Sequence, residues 1–310
     1  MVAPASDAEI PALWQALGLP GLIDVHVHFM PDNVLRKVWA YFDSAGPLTG
    51  TTWPIHYRED EATRLARLRA MGVLAFPSLL YPHKPGMAAW LNGWARAFAA
   101  EHDDVIQTAT FFPEPEAPAY VDDAIAAGAR LFKAHVQVGG YDPRDPLLTP
   151  VWRRLEEAGL PVVVHCGDGP APGRHTGAEV FGDVLAAHPQ LVAVIAHMGL
   201  PDYGAFLELA QRYPRVHLDT TMAFTSWTER TAPFPPALTG SLLALGERIL
   251  LGSDFPNTPY PYCEQLAGLV RLGLGDAWLR GVLHDNAARL LGLPLSVQQM
   301  PQRPGRPHLG

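Results

Sequence analysis

Short apolar runs with a period of two alternate along the chain with stretches whose apolar residues recur every three to four positions. The first pattern predicts strands and the second amphipathic helices. Strands are expected at 22–28, 73–80, 105–112, 130–138, 161–166, 192–197, 216–221 and 249–254. Between them, Met87, Trp90, Leu91, Trp94 and Phe98 share one helical face over 87–98. Over 149–158, Thr149 reads as a cap, Pro150 occupies the first turn and Gly159 ends the helix. Another helix begins at Asp202 and stops before Pro214. Strands alternating with helices imply a parallel sheet. Eight such pairs predict an α/β fold closed into a (β/α)8 TIM barrel.

One domain is expected over 21–293. Residues 1–20 read as an N-terminal helical extension, opened by a Ser6-Asp7-Ala8-Glu9 capping box and running to about Leu17. Residues 294–310, rich in Pro, Gln and Arg, predict a flexible C-terminal tail. A long loop after the first strand joins His28 to a helix near Glu61–Met71. It carries Trp39, Trp53, His56, Tyr57 and Arg58, and those aromatics predict an ordered lid. Met222–Pro236 is a second candidate loop.

Composition narrows the class. Apolar residues make up 48% of 310 and charged ones 17%, which suits two buried layers. The net charge of −8 and the lack of a Lys/Arg run argue against a nucleic-acid partner. No apolar run spans a bilayer, so no membrane partner is expected. Two cysteines, Cys166 and Cys263, give no disulfide framework, and a cytoplasmic location is expected. Cys166 follows His165 and is expected to face the helices as core.

Candidate chemistry sits at the strand ends. Asp24, His26 and His28 are expected on one face of the first strand, opposite Val25 and Val27. Two imidazoles aimed alike inside a protein need partners, and a divalent metal satisfies both. Lys133 and His135 share a face of the fourth strand; His165, His197 and Asp254 end the fifth, sixth and eighth. Closure of a barrel brings such strand ends to one mouth.

The order His-x-His, Lys, His, His, Asp resembles the amidohydrolase superfamily. Three stretches, Gly21–His28, Leu251–Pro256 and Asn286–Leu293, sharpen the resemblance to its amidohydrolase-related (amidohydrolase 2) branch. That branch includes aminocarboxymuconate-semialdehyde decarboxylase, resorcylate decarboxylases, aromatic-acid hydratases and pyrone-dicarboxylate lactonases. The resemblance spans about 21–293 and implies a metal held by His26, His28, His165 and Asp254, with His197 and Asp254 catalytic. Lys133 resembles the lysine that bridges two ions in some relatives, but Lys-x-His also matches the single-metal branch. Lys133 and His135 are therefore expected at a second metal or at substrate.

Three imidazoles and a carboxylate suit one zinc, or manganese held less tightly. The expectation is a metal-dependent hydrolase acting through activated water on an amide, lactone or ester-like bond of a small carboxylated or cyclic substrate. The alternative is a non-oxidative decarboxylase of an aromatic or muconate-type acid. Arg58, Trp53, Tyr57, Arg174 and Trp227 are the substrate-binding candidates, with Lys84, Arg230 and Phe224 behind them. A homodimer is a further expectation, carried by the resemblance alone.

Overall fold

The computed structural model describes residues 1–44, 46, 52–293 and 295. Among the described residues, nine short parallel strands form the wall: β1 Leu22–Ile23, β2 Val73–Pro77, β3 Val105–Ile106, β4 Thr108–Thr110, β5 Leu131–His135, β6 Val162–His165, β7 Ala193–Ile195, β8 Val216–Asp219 and β9 Ile249–Leu250. Pairing runs β1-β2-β3 and β4-β5-β6-β7-β8-β9. Only Gln107 separates β3 from β4, so the two make one of eight barrel strands. The seam closes beyond β1 and β9. There Val25 N–H donates to Leu251 O at 2.9 Å, Asp254 N–H to His26 O at 2.9 Å and His28 N–H to Phe255 O at 2.8 Å.

Each expected strand is present and ends sooner than the apolar runs suggested. The fourth stops at His135, where α6 (Val136–Gly139) begins. The first is regular only over two residues, because 24–28 leaves the ladder to bond β9's continuation. Its simple alternation fails with it: Val25 packs inside the barrel and Val27 in the outer layer.

The helices are α1 Ile10–Ala16, α2 Asp32–Ser44, α3 Glu61–Met71, α4 Ala88–Glu101, α5 Ala117–Ala126, α6, α7 Thr149–Ala158, α8 Ala178–Ala187, α9 Tyr203–Arg212, α10 Thr239–Ala244, α11 Tyr262–Arg271, α12 Asp276–Arg280 and α13 Asn286–Leu291. Gly159 ends α7 in the left-handed conformation, as expected, whereas Thr149 lies inside the helix and Leu148 precedes it. Ser6 makes no cap bond; instead Glu9 accepts from Ser6 Oγ and Ala5 N–H. The long first loop contains α2, whose Val34, Leu35, Val38, Trp39 and Phe42 do follow helical spacing. Within the expected tail, 294 and 296–310 lie outside the described residues.

Two apolar layers result. Phe76, Phe132, Trp152, Phe181 and Phe206 fill the space between wall and helices. Ile23, Val25, Leu131, Val163, Val194 and Leu250 fill the barrel, with Ala287 and Leu291 of α13 against them. Among the described residues, no helix is long and apolar enough to cross a membrane.

Candidate active site

The inward positions of β5 read Leu131, Lys133, His135, and those of β6 read Val163, His165. Apolar residues thus pack the lower barrel and polar ones crown it. His197 follows inward-packed Ala196, so alternation alone would send it outward. Its backbone adopts φ +57°, which breaks that alternation at the mouth. Asp254 also takes a left-handed conformation, φ +66°. Such conformations are uncommon without glycine and gather at functional sites.

One ligand atom each from His26, His28 and Asp254 lies within 4.8 Å of the other two. His26 Nδ1 sits 2.8 Å from Asp219 Oδ2, and His28 Nδ1 sits 2.9 Å from Leu79 O. A carbonyl only accepts, so His28 Nδ1 carries the hydrogen and Nε2 is the ring nitrogen left to serve as a ligand. That nitrogen faces Asp254 Oδ1 at 2.9 Å, and His26 Nε2 faces the same oxygen at 3.6 Å. Acceptors converging this closely need a shared proton or a cation. The donor set, two imidazoles and a carboxylate with Asp219 behind His26, fits a divalent metal.

Electrostatics agree. Burial pushes the Asp254 carboxyl up, but His28, His26 and His197 pull it well below the usual carboxylate range. Asp219 behaves alike: burial raises it, and His26 and His197 outweigh that. Burial, helped by Lys133, lowers His26 to about 4. His197 also falls to about 4 through burial, and its Nδ1 is buried without a hydrogen-bond partner among the described residues. Lys133 is lowered by burial to about 8, against the pull of Asp219 and Asp254. Its Nζ lies 3.3 Å from His26 Nε2.

His165, the fourth expected ligand, is at the same mouth but outside the three-residue cluster. Its Nε2 meets Gly169 O at 2.9 Å, and its ring stacks on His135 at 4.1 Å. His135 Nδ1 accepts from Val138 N–H at 3.3 Å. Burial holds both rings well below the ordinary histidine value.

Above the cluster opens a cavity of about 660 Å³. Trp53 lines it, fixed by Nε1 donating to Asn257 O at 2.7 Å. The other substrate candidates are elsewhere. Tyr57 is buried beside the N-terminal extension, its hydroxyl donating to Asp7 and accepting from Tyr262 N–H. Arg58 pairs with Asp43 at 2.6 Å on the surface. Arg174 and Arg230 are exposed outside the cavity lining, and Trp227 backs Trp53 edge-on at 6.0 Å. Two site residues escaped the sequence reading. Asp219 ends β8 as His165 ends β6, which was a legible signal; Tyr81, tilted against His135 at 4.6 Å, gave none.

The family model Amidohydro_2, described as Amidohydrolase, matches residues 23–293. The chain belongs to this family. No curated protein matches this amidohydrolase. Solved structures do. An uncharacterised TIM-barrel protein from Bordetella bronchiseptica shares 19% identity at TM-score 0.69, covering 88% of this chain and 98% of that one. A candidate 2-pyrone-4,6-dicarboxylic acid hydrolase from Pseudomonas putida shares 19% at 0.59, covering 89% and 99%. 5-Carboxyvanillate decarboxylase from Novosphingobium aromaticivorans, in complex with manganese and 4-hydroxy-3-methoxy-5-nitrobenzoic acid, shares 15% at 0.59, covering 89% and 97%. At these identities the structural likeness speaks for the barrel fold.

Proposed function

We propose that this amidohydrolase is a metal-dependent hydrolase of an amide, lactone or ester-like bond in a small carboxylated or cyclic substrate. The observation that carries the reading is the convergence of His26 Nε2, His28 Nε2 and Asp254 Oδ1. These atoms would hold one divalent ion, zinc foremost and manganese next, and His165 would join them on leaving Gly169 O. When bound, the ion supplies Lewis acidity, which polarises the scissile carbonyl and acidifies water. The chain's own groups do the rest. Asp254, ionised in its buried setting, accepts the proton of the attacking water and returns it to the leaving group. His197, neutral at pH 7 because burial lowers it, offers an N–H to the developing oxyanion. Lys133 Nζ steadies His26 at 3.3 Å. Asp219 Oδ2 fixes the His26 tautomer, which leaves the Nε2 lone pair, shared in this structure with Lys133 Nζ, on the side of Asp254.

Decarboxylation on the same frame is the second reading. The cavity wall near the cluster is rich in apolar side chains, including Phe42, Trp53, Met87 and Met222. Such a wall desolvates a carboxylate and so favours its loss as carbon dioxide. Free, buried Cys166 and Cys263 fit a reducing, cytoplasmic setting. The test is an assay of aromatic acids and lactones, following carbon dioxide release and ring-opened product in parallel. Ring opening abolished by His28→Ala supports hydrolysis; carbon dioxide release abolished by the same substitution supports the second reading.

A further inference from the structure

Lysine is rare in this chain. Against 23 basic residues in all there are three lysines: Lys37, Lys84 and Lys133. Two of them line the cavity, and the third is buried against the ligand cluster. Lys133 is the buried one, against His26. Lys37 on α2 and Lys84 after β2 line the cavity. Everywhere else the chain places arginine, and ten of the arginines among the described residues are tied to acidic side chains or backbone carbonyls, as in Arg58–Asp43, Arg69–Asp104 and Arg154–Asp122. Lys37 and Lys84 make no ion pair or hydrogen bond among the described residues, so both ammonium groups are uncommitted.

Their surroundings sharpen the point. Among the described residues lining the cavity, Asp254 is the one carboxylate, and it belongs to the ligand cluster. The rim is therefore cationic on a protein of net charge −8. Asn33, Lys37 and Tyr41 recur every four residues on α2 and all line the cavity, so this helix face is turned to it. Aromatic side chains line the same cavity: Tyr81 packs edge-on to His28 at 5.6 Å, Trp53 is buried, and Trp90 is exposed. The ligand cluster is buried and the two free cations are exposed, with aromatic side chains lining the cavity they share.

The geometry points to Lys37 and Lys84 as a distal anion subsite: the substrate carries, beyond its aromatic or cyclic centre, a second anionic group remote from the reacting bond. This rests on the functional reading above for the inner end of the substrate and on the two lysines alone for the outer end. Lysine suits the role, because its ammonium is a mobile point charge on a flexible stem. Electrostatic attraction at such a rim contributes to specificity and capture more than to chemistry, so kcat is left nearly unchanged when the lysines are lost.

Binding is read by quenching of tryptophan emission, since Trp53 and Trp90 line the cavity. The probes are isophthalate and 4-carboxycinnamate, each against its monoacid, benzoate and cinnamate. Wild-type protein binds the diacids more tightly than the monoacids. The double substitution Lys37→Gln/Lys84→Gln weakens the diacids about tenfold, leaves the monoacids within about twofold, and flattens the salt dependence. Lys37→Arg/Lys84→Arg, which keeps the charge, restores the diacid preference. Both positions are exposed, so folding survives. Equal affinity for diacids and monoacids, no saturable quenching by either diacid, or a diacid preference that persists in the glutamine double variant would overturn the assignment. The same titration on His28→Ala separates the two claims. If the metal reading fails, His28→Ala binds as wild type does while the lysine effect stands. If the lysine assignment fails, the glutamine variant binds as wild type does whatever His28→Ala shows.

Discussion

Gly252→Ala, two positions before Asp254, probes how tightly the site is packed. A Cβ there would sit 2.2 Å from Thr221 Oγ1, 2.9 Å from His26 Cβ and 3.1 Å from Asp219 Cγ. All three neighbours are buried and two of them form the His26–Asp219 pair. None is the far end of a flexible side chain, so the methyl group must displace the site itself. Overpacking of this kind costs about 1–3 kcal/mol, a sizeable part of a typical folding stability of about 5–15 kcal/mol. Displacing His26 from Asp219 should also weaken metal binding by about 10–100-fold, the usual effect of disturbing a ligand's hydrogen-bonded support. Thr221 Oγ1 is the nearest obstacle and has no hydrogen-bond partner among the described residues. Thr221→Ala should therefore relieve part of the strain. In a double-mutant cycle the pair should fall short of the summed single effects by at least about 0.5 kcal/mol. Urea denaturation of metal-free protein gives the stabilities, and a metal titration gives the affinities. An alanine variant with unchanged midpoint and unchanged metal affinity would refute the packing argument.

Other outcomes follow from the same structure. Lys133 falls from 10.5 to about 8 in the folded protein, so folding penalises its charged form. The penalty is absent above the unfolded pKa and complete below the folded one, so stability should rise by about 3 kcal/mol from pH 8 to 10.5. Lys133→Met should flatten that slope in pH-dependent urea unfolding; equal slopes in both proteins would contradict it. Tyr57→Phe strips the shared partner from Asp7 and from Tyr262 N–H and should cost about 1–3 kcal/mol by thermal or urea unfolding; no loss would count against that network. Arg58→Ala and Arg174→Ala should leave ligand affinity as it is and stability within about 0.5 kcal/mol; a tenfold loss of affinity in either would return it to the substrate site.

How much could be read in advance depended on the range of the forces involved. Period-two runs announced the strands, and the glycine after α7 announced its end, because both are local. The polar crown of the barrel was legible too: Lys133, His135 and His165 alternate with packed apolar residues along β5 and β6. Where side chains turn beyond the strand ends was not. His165 is drawn to Gly169 O by a loop in which Gly167 and Gly169 lie against Leu200, thirty-odd residues on. Tyr57 is taken from the cavity by Asp7, fifty positions upstream. Arg58 is taken by Asp43. Such captures depend on which loop meets which, and no periodicity encodes that. The α2 helix was different, since its spacing was present and the long aromatic-rich loop obscured it.

The central claim, that His26, His28 and Asp254 share one cation, is tested most directly by calorimetric titration of chelator-treated protein with zinc and with manganese. The account predicts one ion per chain, and affinity lowered by more than about 100-fold in both His28→Ala and Asp254→Ala while their circular dichroism stays that of the folded barrel. Wild-type protein that takes up neither ion, or folded variants that bind it as tightly as wild type, would contradict it.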